Sequence, residues 1–382
     1  MKKKNSAKEK DRVKKKQLTK VGIMTFMLHN YGAVLQAYAL QAYLKKQEGL
    51  DVCNIDFRTD WHDKDDKIFN LQGRFKTKLA TFVYTLLRYP GLKKRKLCTS
   101  KFKKKYFSLT QRIHSEKELI SKPPEMDIYV TGSDQVFNPN GLFPNVYFLN
   151  FSKGSGKKVA YAPSFGGCDF SNNFSKQIEP MISDFEKLSC REEEGADFLS
   201  KIVKTDVPVL VDPTFLLNAE EWSTVASPPN IKGKYIFIYD LAGDENLIQI
   251  ANKIKDKTGY KIVCLSCNIR KFYNIEKHLY SCGPAEYLCL IKNAEYVVAD
   301  SFHGAVFSII FNKSFFVYVS PKKENVSSRI YNLAKLLNFN DRILTSEKVQ
   351  NFSFSEEPFL LNKKELNKRI SISQEFIKKH IQ

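Results

Sequence analysis

The sequence predicts an α/β protein built of two doubly wound, Rossmann-like domains that face each other across a cleft. Apolar runs of strand length alternate with longer segments whose apolar residues recur at helical spacing. The alternation occurs in two series, and 382 residues is long for one domain. We therefore expect a disordered basic arm over residues 1–18, an N-terminal domain over 19–214 and a C-terminal domain over 215–382.

The first predicted elements form a βαβ unit. Residues 21–26 are apolar enough for a buried strand, and the turn Asn30-Tyr31-Gly32-Ala33 opens a helix that runs to Lys46. Residues 52–57 return as a strand, and the crossover should be right-handed. Later in this half, the pattern predicts strands at 127–130, 158–162 and 209–211 and a helix at 178–185.

Residues 60–125 are less regular and rich in basic and aromatic side chains, which indicates a helical insert in the N-terminal domain. One helix is predicted at 75–87. The pair Pro90-Gly91 should end it, because proline disrupts a helix interior. A cluster of basic side chains follows between Lys93 and Lys105.

The second half repeats the alternation. It predicts strands at 235–239, 261–265, 294–300 and 315–318, and helices at 246–255, 283–291, 328–337 and from 363 to the end.

The most informative local feature is the turn Asp300-Ser301-Phe302-His303-Gly304. It joins the apolar strand pattern at 296–299 to an apolar helix pattern at 305–311. In open α/β sheets, ligands bind beyond the carboxyl ends of strands, where helix N-termini attract anions. His303 could therefore move protons beside a bound anion. The same histidine could also be an ordinary buried residue that caps the helix, and the local sequence leaves both interpretations open.

Three other loops with polar or glycine residues follow predicted strands, at 29–33, 131–139 and 162–167. Arg191 stands near another element end, at the start of Arg191-Glu192-Glu193-Glu194-Gly195. Each loop alone is weak evidence. In the predicted topology they line one face together, which is a stronger indication of a site.

Several enzyme classes are disfavoured by missing motifs. The sequence has no GxGxxG after its first strand, no GxxxxGK[ST] loop and no GxSxG elbow. The eight cysteines are scattered, and the lone CxxC of Cys264 and Cys267 has no second pair at zinc-ribbon spacing. We expect buried free thiols there rather than a metal or redox site.

The net charge of +20 is large, and the first 20 residues hold ten Lys or Arg against Glu9 and Asp11. This charge indicates either solvated surface or attraction to an anionic membrane face or acidic polymer. No nucleic-acid recognition motif is present, so we expect no nucleic-acid partner. The N-terminus has no apolar signal-peptide core, and the apolar stretch at 79–87 is too short to span a bilayer. The sequence predicts a cytoplasmic protein, with peripheral contact to the inner membrane face as an alternative.

Several long blocks resemble the polysaccharide pyruvyl transferase family, in order, over about residues 20–345. They are GIMTFxxxNYGAVLQAYAL, DIYVTGSDQVFNP, YAPSFG, SCREEEG, PVLVDPTFLL, GPAEYLCLIKNAEYVVADSFHGAVFSIIFNK and SSRIYNLAKLL. The resemblance implies a GT-B-like fold and transfer of a pyruvyl group from phosphoenolpyruvate to sugar hydroxyls as a ketal, in exopolysaccharide, capsule or cell-wall glycan synthesis. It implies a glycan or lipid-linked oligosaccharide acceptor and no metal or organic cofactor.

The resemblance also suggests roles for residues. His303 matches the histidine of the family's HG motif and is the candidate catalytic residue. Candidate donor-binding residues are Arg191, Arg329, Lys323, Ser301 and Gly304, and the C-terminal domain is the expected donor side. Candidate acceptor-binding residues, on the N-terminal side, are Asn30, Tyr31, Gly32, Ser133, Asp134 and Gln135.

One position departs from the family pattern. Some branches carry an arginine two positions before the histidine, where this chain has Ser301. Either Arg329 or Lys323 replaces that cation, or the donor pocket differs. Two other functions stay open: a nucleotide-sugar glycosyltransferase on the same fold, and a non-catalytic glycan-binding member. The sequence leaves the oligomeric state and the acceptor sugar undetermined.

Overall fold

The computed structural model describes residues 18–27, 30–59, 78–139, 144–152, 154–168, 170, 172–229, 231–266, 275–321, 328–356 and 360–382. Some sequence predictions concern residues outside these ranges: Lys323, Cys267, all but the last residue of the basic arm, and residues 60–77 of the insert, which include the start of its predicted helix.

The described residues contain ten strands. They are β1 (Thr19–Met24), β2 (Leu50–Asn54), β3 (Ile128–Thr131), β4 (Lys157–Ala160), β5 (Tyr235–Asp240), β6 (Lys261–Ser266), β7 (Lys277–Leu279), β8 (Tyr296–Ala299), β9 (Ser314–Tyr318) and β10 (Ile343–Leu344).

Thirteen α-helices lie among the same residues. They are α1 (Tyr31–Leu44), α2 (Lys78–Tyr106), α3 (Glu116–Ser121), α4 (Pro144–Tyr147), α5 (Asn172–Ile182), α6 (Glu193–Val203), α7 (Ala219–Val225), α8 (Asn246–Thr258), α9 (Pro284–Asn293), α10 (Phe302–Ile310), α11 (Ser328–Leu337), α12 (Ser346–Asn351) and α13 (Lys363–His380).

The strands form two parallel sheets, each with a point where the strand order reverses. The first sheet has the order β2-β1-β3-β4, with Val21 paired to Val52 on one side and to Ile128 on the other. The second has the order β10-β9-β8-β5-β6-β7. Counted within that sheet, its strands follow the 3-2-1-4-5-6 order of dinucleotide-binding folds. The prediction of two doubly wound sheets is confirmed.

The reversal points set the location of the site. The order reverses between β1 and β3 in the first sheet, and between β5 and β8 in the second. The predicted loops at 29–33, 131–139 and 300–304 follow β1, β3 and β8. Loops at such points diverge to opposite faces of the sheet and leave a crevice, which is where ligands bind in this class of fold.

The two halves share contacts and an apolar core. The Tyr31 hydroxyl, at the start of α1, donates a hydrogen bond of 2.5 Å to the Cys282 carbonyl, and the Tyr31 ring stacks on Tyr287 at 5.1 Å. The last helix returns to the junction, where Ser373 Oγ on α13 accepts from the Val211 amide at 3.0 Å. The predicted domain boundary after residue 214 lies within the 3-10 helix Pro213–Leu216 and stays a prediction.

The predicted end of the insert helix at Pro90-Gly91 is wrong, because α2 continues through Pro90 to Tyr106. A proline in a helix removes one hydrogen bond, and tertiary packing can outweigh that loss. Here the absent side chain of Gly91 admits Tyr280, since a Cβ on Gly91 would lie 2.8 Å from the Tyr280 Cβ. Farther along the helix, Phe102 is buried in the core against Tyr38.

The predicted strand at 209–211 is also wrong. Val209 makes only an isolated bridge with Cys190, and neither residue joins a sheet. The segment is extended because the amide of Leu210 donates to the Cys190 carbonyl and that of Val211 donates to Ser373. Helices α3, α4, α6, α7 and α12 and the short strands β7 and β10 were not predicted by the sequence patterns. Within the described ranges, no helix has the length and apolarity needed to cross a membrane.

The continuous α2 leads to a prediction about Pro90. Replacing Pro90 by Ala restores a helix-interior amide, so we expect the free energy of unfolding to rise by about 1–3 kcal/mol. Urea unfolding would measure the change. In contrast, Pro284 occupies the first turn of α9, where proline suits the helix, and Pro284→Ala should give no such gain. A Pro90→Ala protein no more stable than the wild type would contradict a helix that runs through this position.

Candidate functional site

The centre of the candidate site is the fully buried carboxylate of Asp212. This residue ends the extended segment after Leu210 and caps the helix Pro213–Leu216. Its Oδ1 accepts hydrogen bonds from the amide of Thr214 at 3.1 Å and from the Thr214 hydroxyl at 2.7 Å. These two bonds fix the carboxylate and leave Oδ2 for partners on other elements.

Oδ2 of Asp212 joins two of the predicted site residues. It accepts a 2.6 Å hydrogen bond from Arg191 Nη1, and it lies 3.4 Å from His303 Nε2. Burial alone would raise the pKa of the Asp212 carboxyl, but His303, Arg191 and the Thr214 hydroxyl lower it below its ordinary range. Asp212 is therefore ionised, and its Oδ2 contacts both an imidazole and a guanidinium.

His303, which follows a strand of the second sheet, contacts residues of the first half of the chain. It lies in the first turn of α10, directly after β8, and its side chain is 6% exposed. Opposite it is Gly32, in the first turn of α1, where a Cβ would overlap with the imidazole ring of His303. Only glycine therefore allows this approach, and the imidazole lies between Gly32 of the first half and Asp212.

The Arg191 guanidinium makes other contacts besides its hydrogen bond to Asp212. Its Nε donates to Glu192 Oε1 at 3.3 Å, and its guanidinium carbon lies 4.8 Å from the centre of the Phe302 ring. Its buried Nη2 has no hydrogen-bond partner among the described residues. Burial alone would lower the pKa of this guanidinium, but the carboxylates of Glu192 and Asp212 raise it above its ordinary value. Arg191 is a permanent cation, and one of its donors is unused among the described residues.

A second guanidinium contacts the same aromatic ring. Arg329, in the first turn of α11, lies 5.6 Å from the Phe302 centre and 3.7 Å from Asp134 Oδ1. Its buried Nε also has no partner within the described part of the chain. Burial, and then the nearby charge of Arg191, lower the pKa of Arg329. Both effects disfavour the isolated cation, so a bound anion between the two arginines would relieve them.

A cavity of about 380 Å³ opens beside this pair. Arg191, Asp212, Phe302 and Arg329 line one side of it. His303 is not among the lining residues and adjoins the cavity through Asp212. Further lining residues come from α11 and from α13 with its N-cap: Asn332, Leu333, Leu336, Asn362, Glu365, Leu366 and Arg369.

The predicted acceptor residues divide into two groups. Asn30 is exposed and caps α1 with its side chain, next to Gly32. Asp134 has a left-handed backbone with a φ of 69°, accepts from the Gln135 amide at 3.0 Å and faces Arg329. Tyr31 and Ser133, by contrast, are buried, and the Ser133 hydroxyl donates to the Ala162 carbonyl at 2.7 Å. Their side chains make internal bonds that hold the neighbouring turns.

The two predicted donor residues beside His303 shape the helix start. Ser301 is the buried N-cap of α10 but makes no side-chain capping bond. Gly304 allows close packing of α10 on β8, since a Cβ there would lie 2.6 Å from that of Ala299. The guanidinium carbon of Arg329 lies 5.6 Å from the centre of the Phe302 ring, and Phe302 follows Ser301 in the chain. That Arg329 replaces the arginine of other family branches stays a prediction.

Sequence reasoning missed Asp212, Glu192 and Phe302 as parts of the site. Each had a signal, because Asp212 ends the apolar run before Pro213, and the other two directly adjoin Arg191 and His303. The Glu192 carboxylate accepts from the Ser164 hydroxyl and so connects the 162–167 loop to the cluster. Arg191 and Asp212 are 21 residues apart in the chain, and the sequence alone does not show that their side chains come into contact.

Comparisons with known proteins identify the family of the chain but not its substrate or activity. The family model described as polysaccharide pyruvyl transferase matches residues 30–321. A search of curated proteins gave no significant match. Similar solved structures include UDP-N-acetylglucosamine 2-epimerase from Rickettsia bellii, with 10% identity, a TM-score of 0.48 and 95% of each chain covered. Another is the glycosyltransferase SnogD from Streptomyces nogalater, with 9% identity, a TM-score of 0.39 and coverage of 95% of this chain and 96% of that one. Such low values carry no information about ligand or activity.

The contact between Gly32 and His303 can be tested with a double-mutant cycle. Gly32→Ala should force the imidazole aside and destabilise the protein by about 1–3 kcal/mol. In a His303→Ala background the same change should cost little, which gives a coupling free energy on the order of 1 kcal/mol or more. Urea unfolding of the four proteins measures it. Gly49, whose Cβ would meet nothing within 4 Å, supplies the control pair and should show additive effects. Additive effects at Gly32 as well would show that the two residues do not touch.

The ionised Asp212 gives a pH-dependent prediction. Because its pKa is lowered in the folded state, its charge stabilises the protein at neutral pH, and that contribution declines below about pH 5. Asp212→Asn should destabilise the protein by about 3–5 kcal/mol at pH 7, since it leaves Arg191 without its closest charge partner. The difference from wild type should shrink as pH falls.

Free energies of unfolding between pH 7 and pH 3 provide the measurement. Glu186→Gln is the control, because Glu186 forms an exposed pair with Lys157 and should contribute under about 1 kcal/mol. A difference between wild type and Asp212→Asn that stays constant over this range would mean that the carboxylate is not ionised with a lowered pKa.

Proposed function

The chain belongs to the polysaccharide pyruvyl transferase family, and on that premise we propose that it transfers the pyruvyl group of phosphoenolpyruvate to two hydroxyls of a glycan, forming a ketal. The observation that carries the proposal is the pair of buried guanidiniums on Phe302. Arg191 and Arg329 each keep a buried donor without a partner among the described residues. Such an arrangement suits a small polyanion with a carboxylate and a phosphate.

The position of His303 supports its role as the acid. Its Nε2 lies 3.4 Å from Oδ2 of Asp212, so the carboxylate holds the ring in place. Asp212 also accepts a hydrogen bond from Arg191, one of the two guanidiniums proposed to bind the donor. In the proposal, the protonated imidazole donates its proton to C3 of phosphoenolpyruvate.

The proposed reaction balances with one acid–base group. Proton transfer from His303 to C3 makes C2 an oxocarbenium centre, and the first sugar hydroxyl attacks it. That hydroxyl returns a proton to His303. The C2–O bond to phosphate then breaks, and the second hydroxyl attacks C2. Its proton leaves with the phosphate, so two hydroxyl protons account for the new methyl hydrogen and for hydrogen phosphate. No metal or organic cofactor takes part in this proposal.

The acceptor would approach from the first half of the chain. Gly32 of that half packs against the imidazole, and Asn30, two residues before it, is exposed. Asp134, on the neighbouring loop, faces Arg329. These residues could orient a sugar, whereas buried Tyr31 and Ser133 would act by holding the turns in position.

Donor binding tests the proposal directly. We expect calorimetric titration with phosphoenolpyruvate to give saturable binding, weakened roughly ten- to hundredfold in Arg329→Gln because charged hydrogen bonds are lost. Arg342→Gln is a matched control: Arg342 is also buried and lies 5.1 Å from an aromatic ring, that of Phe316, in another part of the chain. His303→Asn should keep donor binding but lose phosphate release with any glycan that the wild type uses.

Two outcomes would contradict this function. Saturable binding of a UDP-sugar without binding of phosphoenolpyruvate would favour a glycosyltransferase. Binding of phosphoenolpyruvate that is equally weakened in Arg329→Gln and Arg342→Gln would place the donor away from the Phe302 cluster.

A further inference from the structure

Helix α2 has an exposed apolar patch. Phe82, Leu86 and Leu87 are 59%, 58% and 64% exposed, although large apolar side chains are usually buried in a folded protein. Val83 and Leu97 are also about half exposed. Together these five side chains make the helix unusual among the described elements, since most other exposed large apolar residues occur singly.

Basic side chains continue this surface along the same side of the helix. At 100° per residue, the five apolar positions and the exposed Lys93, Lys94, Lys101 and Lys104 fall within about 140° of the helix circumference. The sequence of α2 contains ten Lys or Arg and no Asp or Glu. We call this side, formed by the five apolar residues and these lysines, the outer face of α2. Its first half holds four of the apolar residues, and its second half holds the four lysines and Leu97.

The opposite side of α2 is held by the protein. Thr85, Thr99 and Phe102 are buried, and Gly283 packs so closely that a Cβ on it would lie 2.6 Å from the Cβ of Cys98. The Arg95 guanidinium lies 4.3 Å from the centre of the Tyr31 ring. These contacts prevent the helix from rolling to bury its apolar patch, so the outer face stays directed to solvent.

We propose that the outer face of α2 docks on an anionic lipid bilayer. Such a surface offers both things that this face would bind: an apolar layer for Phe82, Leu86 and Leu87, and negative headgroups for the lysines. A nucleic acid or acidic polymer would use only the basic half. A second copy of the chain would bring two cationic faces together, and the whole chain already carries a charge of +20.

The docking face is directly connected to the candidate site. Arg95 on the inner side of α2 contacts Tyr31, which adjoins the Gly32 turn against His303. If the proposed function holds, a bilayer bound at α2 would supply an acceptor carried on a lipid, and this consequence alone rests on that function. Membrane binding itself does not depend on turnover and can be measured separately.

The test is sedimentation of the full chain with vesicles of phosphatidylglycerol and phosphatidylcholine, and with vesicles of phosphatidylcholine alone. We expect binding to the anionic vesicles only. Leu86→Ser/Leu87→Ser should weaken it at least about tenfold through lost apolar burial. Lys93→Gln/Lys94→Gln should weaken it on the order of tenfold and reduce its dependence on salt.

Matched controls use exposed residues elsewhere. Lys378→Gln/Lys379→Gln removes the same charge from α13, and Leu360→Ser removes a leucine that is 80% exposed. Neither should change binding by more than about twofold. Because every substituted side chain is exposed, thermal unfolding should be unchanged in all variants.

Four results would overturn the proposal. The first is no binding to anionic vesicles, and the second is binding that neither α2 pair weakens. Another is that the protein binds a soluble acidic polymer such as heparin as tightly as it binds the vesicles, and that Leu86→Ser/Leu87→Ser does not weaken the polymer binding. The last is a concentration-dependent dimer that this leucine pair abolishes, without vesicle binding, which would assign the outer face to a second copy of the chain.

Discussion

The candidate site depends on one buried carboxylate. Asp212 accepts from Thr214 through one oxygen and from Arg191 through the other, and it contacts His303 with that second oxygen. A buried charge is tolerated only when it is paired and hydrogen-bonded, so Asp212 and its partners stabilise one another and constrain one another's positions. Through these contacts one residue near the junction of the two halves orients both a cation from the first half and an imidazole from the second.

Two residues determine how the groups around that carboxylate pack: Gly32, which has no side chain, and Phe302, which supplies an aromatic ring. Gly32 lets the first turn of α1 approach the imidazole, and any larger residue would overlap with it. Phe302 gives Arg191 and Arg329 a common surface, so two like charges lie close together without a mutual hydrogen bond. Their repulsion is tolerable because carboxylates surround them, yet each keeps a buried donor unused among the described residues. This pair of unused donors is the basis for proposing that the site binds an anion.

The two sides of helix α2 differ in what they contact: the inner side packs on the protein, and the outer face is exposed. Its inner side packs on the core through Phe102 and on the site through Arg95 and Tyr31. Its outer face carries apolar and basic side chains that the fold does not need. A rigid helix transmits position between a surface and a site without a conformational change, so docking at α2 would orient the cleft relative to whatever the helix binds. Pro90 lies between the apolar and basic halves of the helix and does not end it.

The sequence by itself determined the class of fold, the order of most strands and helices, and the loops that form the site. Continuous apolar runs indicate buried parallel strands, and polar residues after those runs mark the carboxyl edge of each sheet. His303 and Arg191 could therefore be selected from their places in the pattern, whereas Arg329 was selected from the family resemblance. Only the tertiary structure decided that Asp212 joins them, that Gly32 faces His303, and that Tyr31 and Ser133 point inward. It also decided that α2 passes through Pro90 and leaves an apolar patch in solvent. The reason is physical: periodicity reports which side of an element is apolar, whereas contacts between residues far apart in the chain depend on how the elements pack, and packing can outweigh a local preference such as that of proline.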